Sequence, residues 1–174
     1  MNPYILAAAL AFVAQTASAQ SPRLKPELAG LGFLVGQWSS GRGQVAETGG
    51  TSTGSSSIEP VANGAALLRR DHTNLFDATG NPTGGFDQIM IIYVEDGTLH
   101  ADYLDGSHVI HYTSAVVVPG KSVTFASAAQ PGVPVFKLGY TLATPAMLSI
   151  SFSMAPPGST GFHPIATGTL TKDR

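Results

Sequence analysis

The sequence predicts an all-β fold, an antiparallel up-and-down barrel of about ten strands with a short N-terminal helix at one mouth. Short β-rich segments follow one another along the chain, and clusters of Gly and Pro separate them. These segments leave no room for crossover helices, so the sheet is expected to be antiparallel. A twisted sheet of this many strands curls or splits, and closure into a barrel removes both of its edges. A β-sandwich is the alternative architecture.

The fold is organised around residues 86–118, which have the pattern of three strands joined by two tight turns. Each turn contains an Asp-Gly pair, at 96–97 and at 105–106. Asp-Gly between β-rich runs favours a two-residue hairpin loop, because both positions tolerate a positive φ. The three strands therefore form an antiparallel meander to which the other strands are added.

Side chains along these strands alternate between two faces, so the loop lengths decide which side chains share the inner face. Two-residue loops pair Val94 with Leu99 and place His100 opposite His111. A bulged three-residue turn at 95–97 would flip the first strand relative to the other two. We assign to the interior the set with more apolar bulk and fewer charges. This set contains Gln88, Met90, Ile92, Val94, Leu99, Ala101, Tyr103, His108, Ile110 and Tyr112.

Turn-forming residues delimit the remaining strands. The predicted strands are 37–46, 51–60, 65–76, 122–128, 135–143, 147–154 and 165–172. The segment 51–60 is rich in Ser and Thr, so it either lines a polar opening or is a flexible loop. A helix competes with the strand at 65–76, and residues 77–85 are predicted to be a loop.

Residues 1–19 have the pattern of a secretory signal peptide, an apolar run followed by Ala-Ser-Ala before Gln20. An uncleaved anchor helix is the alternative, but the apolar run is short for a bilayer. Export would place the mature protein in the periplasm or outside the cell. Residues 20–25 are predicted to be a polar tether, and residues 26–174 a single domain.

The domain is predicted to begin with one or two helical turns at 26–35. Leu28, Leu31 and Leu34 recur there at a spacing of three and could cover one end of a barrel. Trp38, the single tryptophan, is expected to fill the core near the barrel base.

Composition excludes several classes of function. The chain has 174 residues, a formal net charge of -2 and 11% charged residues. Nucleic-acid binders normally show a basic face and membrane-surface proteins a polybasic segment, so neither partner is expected, nor is stable membrane insertion after signal cleavage. The absence of cysteine excludes disulfides and thiolate chemistry. No nucleophile elbow, zinc-protease motif or phosphate loop is present, so catalysis is unsupported rather than excluded.

Several sequence pieces occur together in a familiar order. They lie at residues 33–38, 58–64, 66–70, 92–93, 99–103 and 108–112. This order resembles a large bacterial family of uncharacterised, often exported domains in the calycin-like group, alongside lipocalins, fatty-acid-binding proteins and nitrobindins. The resemblance covers most of residues 30–172 and implies a ten-stranded barrel with a cavity for a hydrophobic small molecule. Nitrobindins hold ferric haem through a histidine on a late strand, and the resemblance implies His163 as that ligand.

The predicted interior supplies the candidate ligand contacts. Tyr103, His108 and Tyr112 would bring a few polar groups into an apolar lumen beside Met90, as in most ligand cavities. The alternative is a closed core in which the two tyrosines point their hydroxyls at the rim.

Arg69 and Arg70 are consecutive, so one points inward and one outward. The inward arginine could bind an acidic group of a ligand, because the guanidinium fork matches a carboxylate. It could equally pair with Asp71 or Asp87 at the mouth.

His100, His111 and Asp102 share the predicted outer face and resemble the start of a metal site. A structural zinc site needs four ligands, so a solvated face is the expectation and no metal is predicted.

The sequence thus supports a secreted barrel that binds an apolar or lipid-like molecule in its lumen. The alternatives are a haem-binding barrel that uses His163, and an interaction module with a closed core and an exposed apolar patch.

Overall fold

A computed structural model describes residues 23–173, which form a closed antiparallel barrel. Its strands are β1 (Gly36–Val45), β2 (Gly50–Val61), β3 (Ala66–Phe76), β4 (Pro82–Glu95), β5 (Thr98–Asp105), β6 (Val109–Val118), β7 (Ser122–Ser127), β8 (Val135–Thr144), β9 (Met147–Ala155) and β10 (His163–Lys172). Each strand pairs with the next along the chain, and β10 pairs with β1. The predicted barrel is confirmed, and the sandwich is excluded. The predicted signal peptide at 1–19 lies outside the described residues.

A 3₁₀ helix, Pro26–Leu34, closes one end of the barrel. A 3₁₀ helix has three residues per turn, so Leu28, Leu31 and Leu34 fall on one face, and all three are fully buried. The buried Trp38 donates a hydrogen bond of 2.8 Å from Nε1 to the carbonyl oxygen of Leu34. The predicted helix and the buried tryptophan are confirmed. A second 3₁₀ helix, Ala62–Gly64, links β2 to β3. Within residues 23–173, no helix is long and apolar enough to cross a membrane.

The first Asp-Gly turn has the predicted geometry. Asp96 and Gly97 have φ values of 49° and 73°, as a two-residue hairpin loop requires. Val94 accordingly pairs with Leu99, which confirms the predicted register of β4 and β5.

The predicted register of the second hairpin is wrong by two residues. His111 lies opposite Asp102 rather than His100. The cause is the carboxylate of Asp105, whose Oδ1 accepts hydrogen bonds of 2.7 Å from the backbone N–H groups of Ser107 and His108. These bonds stabilise a four-residue loop at 105–108, so His108 lies in the loop instead of on β6.

A shift of two residues leaves the strand side chains on their predicted faces, because the side-chain period in a strand is two. His108, which was predicted to face inward, is the exception, because it lies in the loop and its side chain is exposed. Met90, Ala101 and Tyr112 are buried, whereas Ile89 and Val109 are 45% and 58% exposed. The assignment of the inner face is therefore confirmed for β4, β5 and β6.

The predicted loop at 77–85 is wrong in its second half, since β4 begins at Pro82. Oδ1 of Asp77 accepts hydrogen bonds from the backbone N–H groups of Thr79 and Asn81, both 2.9 Å long. Hydrogen bonds from the Thr79 hydroxyl and from Asn81 lower the pKa of Asp77 to about 2. The carboxylate thereby shortens the connection, and the chain returns to the sheet earlier than its composition indicates.

Replacing Leu31 by Ala is expected to destabilise the barrel by about 2–5 kcal/mol, because a fully buried leucine leaves a cavity between the helix and the core. Val116→Ala is the matched control, since Val116 is 73% exposed on β6, and a change within about 0.5 kcal/mol is expected there. Urea unfolding followed by Trp38 fluorescence measures both. Equal midpoints for the two variants would show that the helix contributes nothing to the core.

Candidate functional site: a cavity in the open half of the barrel

The end of the barrel opposite the 3₁₀ helix encloses a cavity of about 560 Å³. This volume lies in the range of about 300–1,000 Å³ that is typical of small-molecule sites. Leu75, Phe86, Leu138, Ile150 and Phe152 form apolar parts of its wall. The lumen is therefore open at this end rather than filled by side chains.

The Ser- and Thr-rich strand β2 forms a polar wall of the same cavity. Ser52, Thr53 and Ser56 line it, which supports the polar opening over the flexible loop. At Gly54, a Cβ atom would lie 2.0 Å from the carbonyl oxygen of His72 on β3, so the two backbones approach too closely for any other residue. Small residues on this strand thus leave room inside the barrel and permit close strand pairing.

A buried polar cluster forms the floor of the cavity around Arg69, which is 7% exposed. Nε of Arg69 donates to Oδ2 of Asp71 at 2.7 Å, and Nη2 donates to the same oxygen. Nη2 also reaches Oε1 of Gln88 at 3.3 Å. Nη1 donates to the hydroxyl of Tyr140 at 2.5 Å and lies 3.6 Å from the sulfur of Met90. All three guanidinium nitrogens therefore have partners within the protein.

The bond between Arg69 and Tyr140 crosses the barrel. Arg69 lies on β3 and Tyr140 on β8, and these strands are five positions apart in both directions around the ring. Tyr140 itself is fully buried and is not a cavity residue. The bridge therefore separates the packed half of the lumen from the open half.

The protonation states of the cluster follow from burial and from its ion pair. Burial alone would lower the pKa of Arg69, but Tyr140 and Asp71 outweigh burial and raise it. Burial raises the pKa of Tyr140 to about 12 and also raises the pKa values of Tyr103 and Tyr112. The guanidinium is thus charged and the three tyrosines are neutral at physiological pH.

Three buried side-chain oxygens have no hydrogen-bond partner within residues 23–173, namely Thr51 Oγ1, Ser56 Oγ and Asp71 Oδ1. Ser56 and Asp71 are cross-strand partners of β2 and β3, and both line the cavity. Buried polar atoms in folded proteins nearly always have partners, so a water molecule or a polar group of a ligand is expected to complete the hydrogen bonding of this pair.

Three of the predicted site residues line the cavity together: Arg69, Tyr103 and Tyr112. The hydroxyl of Tyr103 donates to Oδ2 of Asp105 at 2.9 Å. His108 also borders the cavity, but its side chain is 71% exposed at the rim. The predicted concentration of polar groups in the lumen is therefore present, with His108 at the margin.

The other predicted residues lie outside the lining. Met90 is buried beneath the cavity against Arg69. Arg70 points outward and forms an ion pair with Glu59 on the surface, so the inward arginine is Arg69 alone. His163 is exposed at the start of β10 and does not line the cavity, so haem ligation by His163 stays a prediction to which the geometry adds nothing.

The structure shows the alternative in which the inward arginine pairs with Asp71, but sequence reasoning did not place Asp71 or Ser56 in the cavity wall. Asp71 shares the alternation of Arg69, and this signal could have placed its side chain inside. Ser56 faces inward because it pairs with Asp71, and no feature of 51–60 marks it among its serine neighbours.

The outer-face histidines do not come together as predicted. His100 lies opposite Tyr93 and stacks on its ring, with 5.7 Å between ring centroids. Nδ1 of His111 lies 2.7 Å from Oδ1 of Asp102. Among the residues that the structure describes, no group of three or more His, Asp or Glu side chains is arranged to hold a metal.

Comparisons with known proteins show the fold. No protein-family model and no curated protein matches the chain. The chain is similar to the solved structure of Rv2717c from M. tuberculosis, with a TM-score of 0.60 and 16% identity over 87% of this chain and 100% of that one. It is also similar to the S-type phycobiliprotein lyase CPES from Guillardia theta, with a TM-score of 0.50 and 13% identity over 82% and 89%. These likenesses agree with the closed antiparallel barrel.

Stability is expected to fall as pH rises between 10 and 12, because burial raises the pKa of Tyr140 from 10.0 to about 12. The raised pKa means that the stabilisation is complete below the unfolded-state pKa and is lost as pH rises through the folded-state pKa. For one tyrosine, the free energy of unfolding falls by at most about 1.4 kcal/mol per pH unit. Urea midpoints measured across this range should fall less steeply in Tyr140→Phe, and equal slopes would contradict the assignment.

Proposed function

We propose that the chain is an exported barrel that binds a small, mostly apolar molecule in the open half of its lumen. The observation that carries the proposal is the cavity of about 560 Å³, with apolar walls above a buried polar floor. Apolar walls supply binding energy through the area removed from water, at about 25 cal/mol per Å². A few fixed polar groups orient the ligand.

The position of the cavity also supports binding rather than a purely structural role. The packed half already contains the helix leucines, Trp38 and the cluster of buried aromatic side chains. Larger side chains in the open half of the lumen would bury more apolar surface and stabilise the fold further. The small residues of β2 forgo that stabilisation, which is the pattern expected where binding needs space.

An interaction module is the second candidate, because an apolar stripe lies on the outer face of β4, β5 and β6. Ile89 pairs with Leu104 and Leu104 with Val109, and all three side chains are more than 40% exposed. This hypothesis also requires a closed core, which the open cavity contradicts. The stripe therefore adds an exposed apolar surface to the proposed ligand-binding barrel and does not replace ligand binding.

Export and membership of the uncharacterised bacterial family are parts of the same proposal. The apolar N-terminal run and the Ala-Ser-Ala site before Gln20 support signal cleavage. Protein recovered from the exported fraction of the producing cell is expected to have the intact mass of residues 20–174. A full-length mass in the membrane fraction would show an uncleaved anchor instead.

The cavity is expected to bind the apolar dye N-phenyl-1-naphthylamine, and Gly168→Leu is expected to weaken that binding at least about tenfold. A Cβ atom at Gly168 would meet only the Cα of Gly43, at 3.6 Å, so a leucine side chain can extend into the lumen. Dye fluorescence on titration measures the affinity, and native mass spectrometry of the exported protein identifies any resident molecule.

The matched control is Ser149→Leu, which adds a leucine to the exposed face of the neighbouring strand β9. This control should bind the dye like the unmodified protein. Equal affinities for all three proteins would place the dye outside the lumen and contradict the proposal.

A further inference from the structure

We propose that the cavity selects neutral ligands that carry a hydrogen-bond donor, a hydroxyl or N–H group, and disfavours ligands that carry a carboxylate. This inference rests on the proposed function and specifies its ligand class. The donor would bind at Asp71 and Ser56, the two cavity residues that each have one side-chain oxygen without a partner.

The first argument is that the buried Arg69 has no free hydrogen-bond donor. A free guanidinium in a barrel lumen would suit a fatty acid, because its fork matches a carboxylate. Here Nε and Nη2 of Arg69 already bind the carboxylate of Asp71, and Nη1 binds the Tyr140 hydroxyl. The charge is compensated and the donors are occupied, so an acidic ligand finds no free cation on the floor.

The second argument is the sign of the remaining charge. Asp105 also lines the cavity, and its side chain is 12% exposed. Burial acts to raise the pKa of Asp105, but hydrogen bonds from Ser107, Tyr103 and His108 outweigh burial and lower it. The buried part of the lumen thus holds one arginine and two carboxylates, those of Asp71 and Asp105, whereas the lining histidines, His72 and His108, are exposed at the rim. A ligand carboxylate would meet net repulsion there.

The third argument is the pair of unpartnered oxygens. Oδ1 of Asp71 can only accept a hydrogen bond while the carboxylate is ionised, whereas the Ser56 hydroxyl can donate or accept. Directly opposed residues on one face of an antiparallel pair have Cβ atoms about 4.5–5.5 Å apart. Both oxygens are shielded from solvent, so a ligand hydroxyl donates to Asp71 and accepts from Ser56 once these two side chains turn towards the lumen. An ester or a hydrocarbon leaves Oδ1 without a donor, and an unsatisfied buried acceptor is unfavourable.

The test compares three ligands with the same chain: 1-decanol, methyl decanoate and decanoate. Each competes with N-phenyl-1-naphthylamine at neutral pH, where decanoate is ionised. We expect 1-decanol to bind about tenfold more tightly than methyl decanoate, the difference that one hydrogen bond makes. Decanoate is expected to bind most weakly of the three.

Two variants assign the selection to named atoms. Ser56→Ala should reduce the preference for 1-decanol over methyl decanoate by several-fold, whereas Ser149→Ala, on the exposed face of β9, should leave it unchanged. Asp71→Asn removes the counter-charge of Arg69 and should shift the preference towards decanoate. Because Asp71→Asn also breaks a buried ion pair and could prevent folding, Ser56→Ala is the deciding variant.

Equal affinities for 1-decanol and methyl decanoate would overturn the inference while leaving the binding barrel in place. An unchanged preference in Ser56→Ala would overturn it as well. If neither the dye nor any of the three ligands binds, the proposed function fails together with the inference.

Discussion

The architecture of the lumen depends on one interaction, the hydrogen bond from Arg69 on β3 to Tyr140 on β8 across the barrel. A charged guanidinium is stable in an interior only when its donors are paired, and Asp71 and Gln88 supply the remaining partners. This set of polar contacts occupies the full width of the barrel at one level. Apolar packing is continuous on the helix side of that level, and the other side contains the cavity.

The two halves of the barrel therefore differ in how their interiors are filled. On the closed side, the 3₁₀ helix is anchored by Trp38 and fills the mouth with three leucines. On the open side, strand β2 contributes serine, threonine and glycine, which add little packing but leave volume. Closure of the barrel allows this difference between the halves. The hydrogen bonds between neighbouring strands continue around the ring in both halves and do not depend on which side chains point inward.

Alternation along a strand is a local signal, and for that reason the inner faces of β4, β5 and β6 were predictable from the sequence. The second hairpin was not, because the Asp105 carboxylate stabilises a longer loop than Asp-Gly alone indicates. Tyr140 lies 71 residues from Arg69 along the chain and meets it only through barrel closure. Contacts of that kind depend on the strand register all the way around the ring, and no short segment of sequence contains them.

The bridge also has a consequence for the depth of the chamber above it. Inward side chains lie in layers two residues apart, which corresponds to about 6–7 Å along a strand. Moving the arginine and its tyrosine by one layer would deepen or shorten the chamber by that amount. The strand pairing and the closed mouth would remain as they are. The depth of the chamber is thus set by a few positions on two strands, while the scaffold around it stays unaltered.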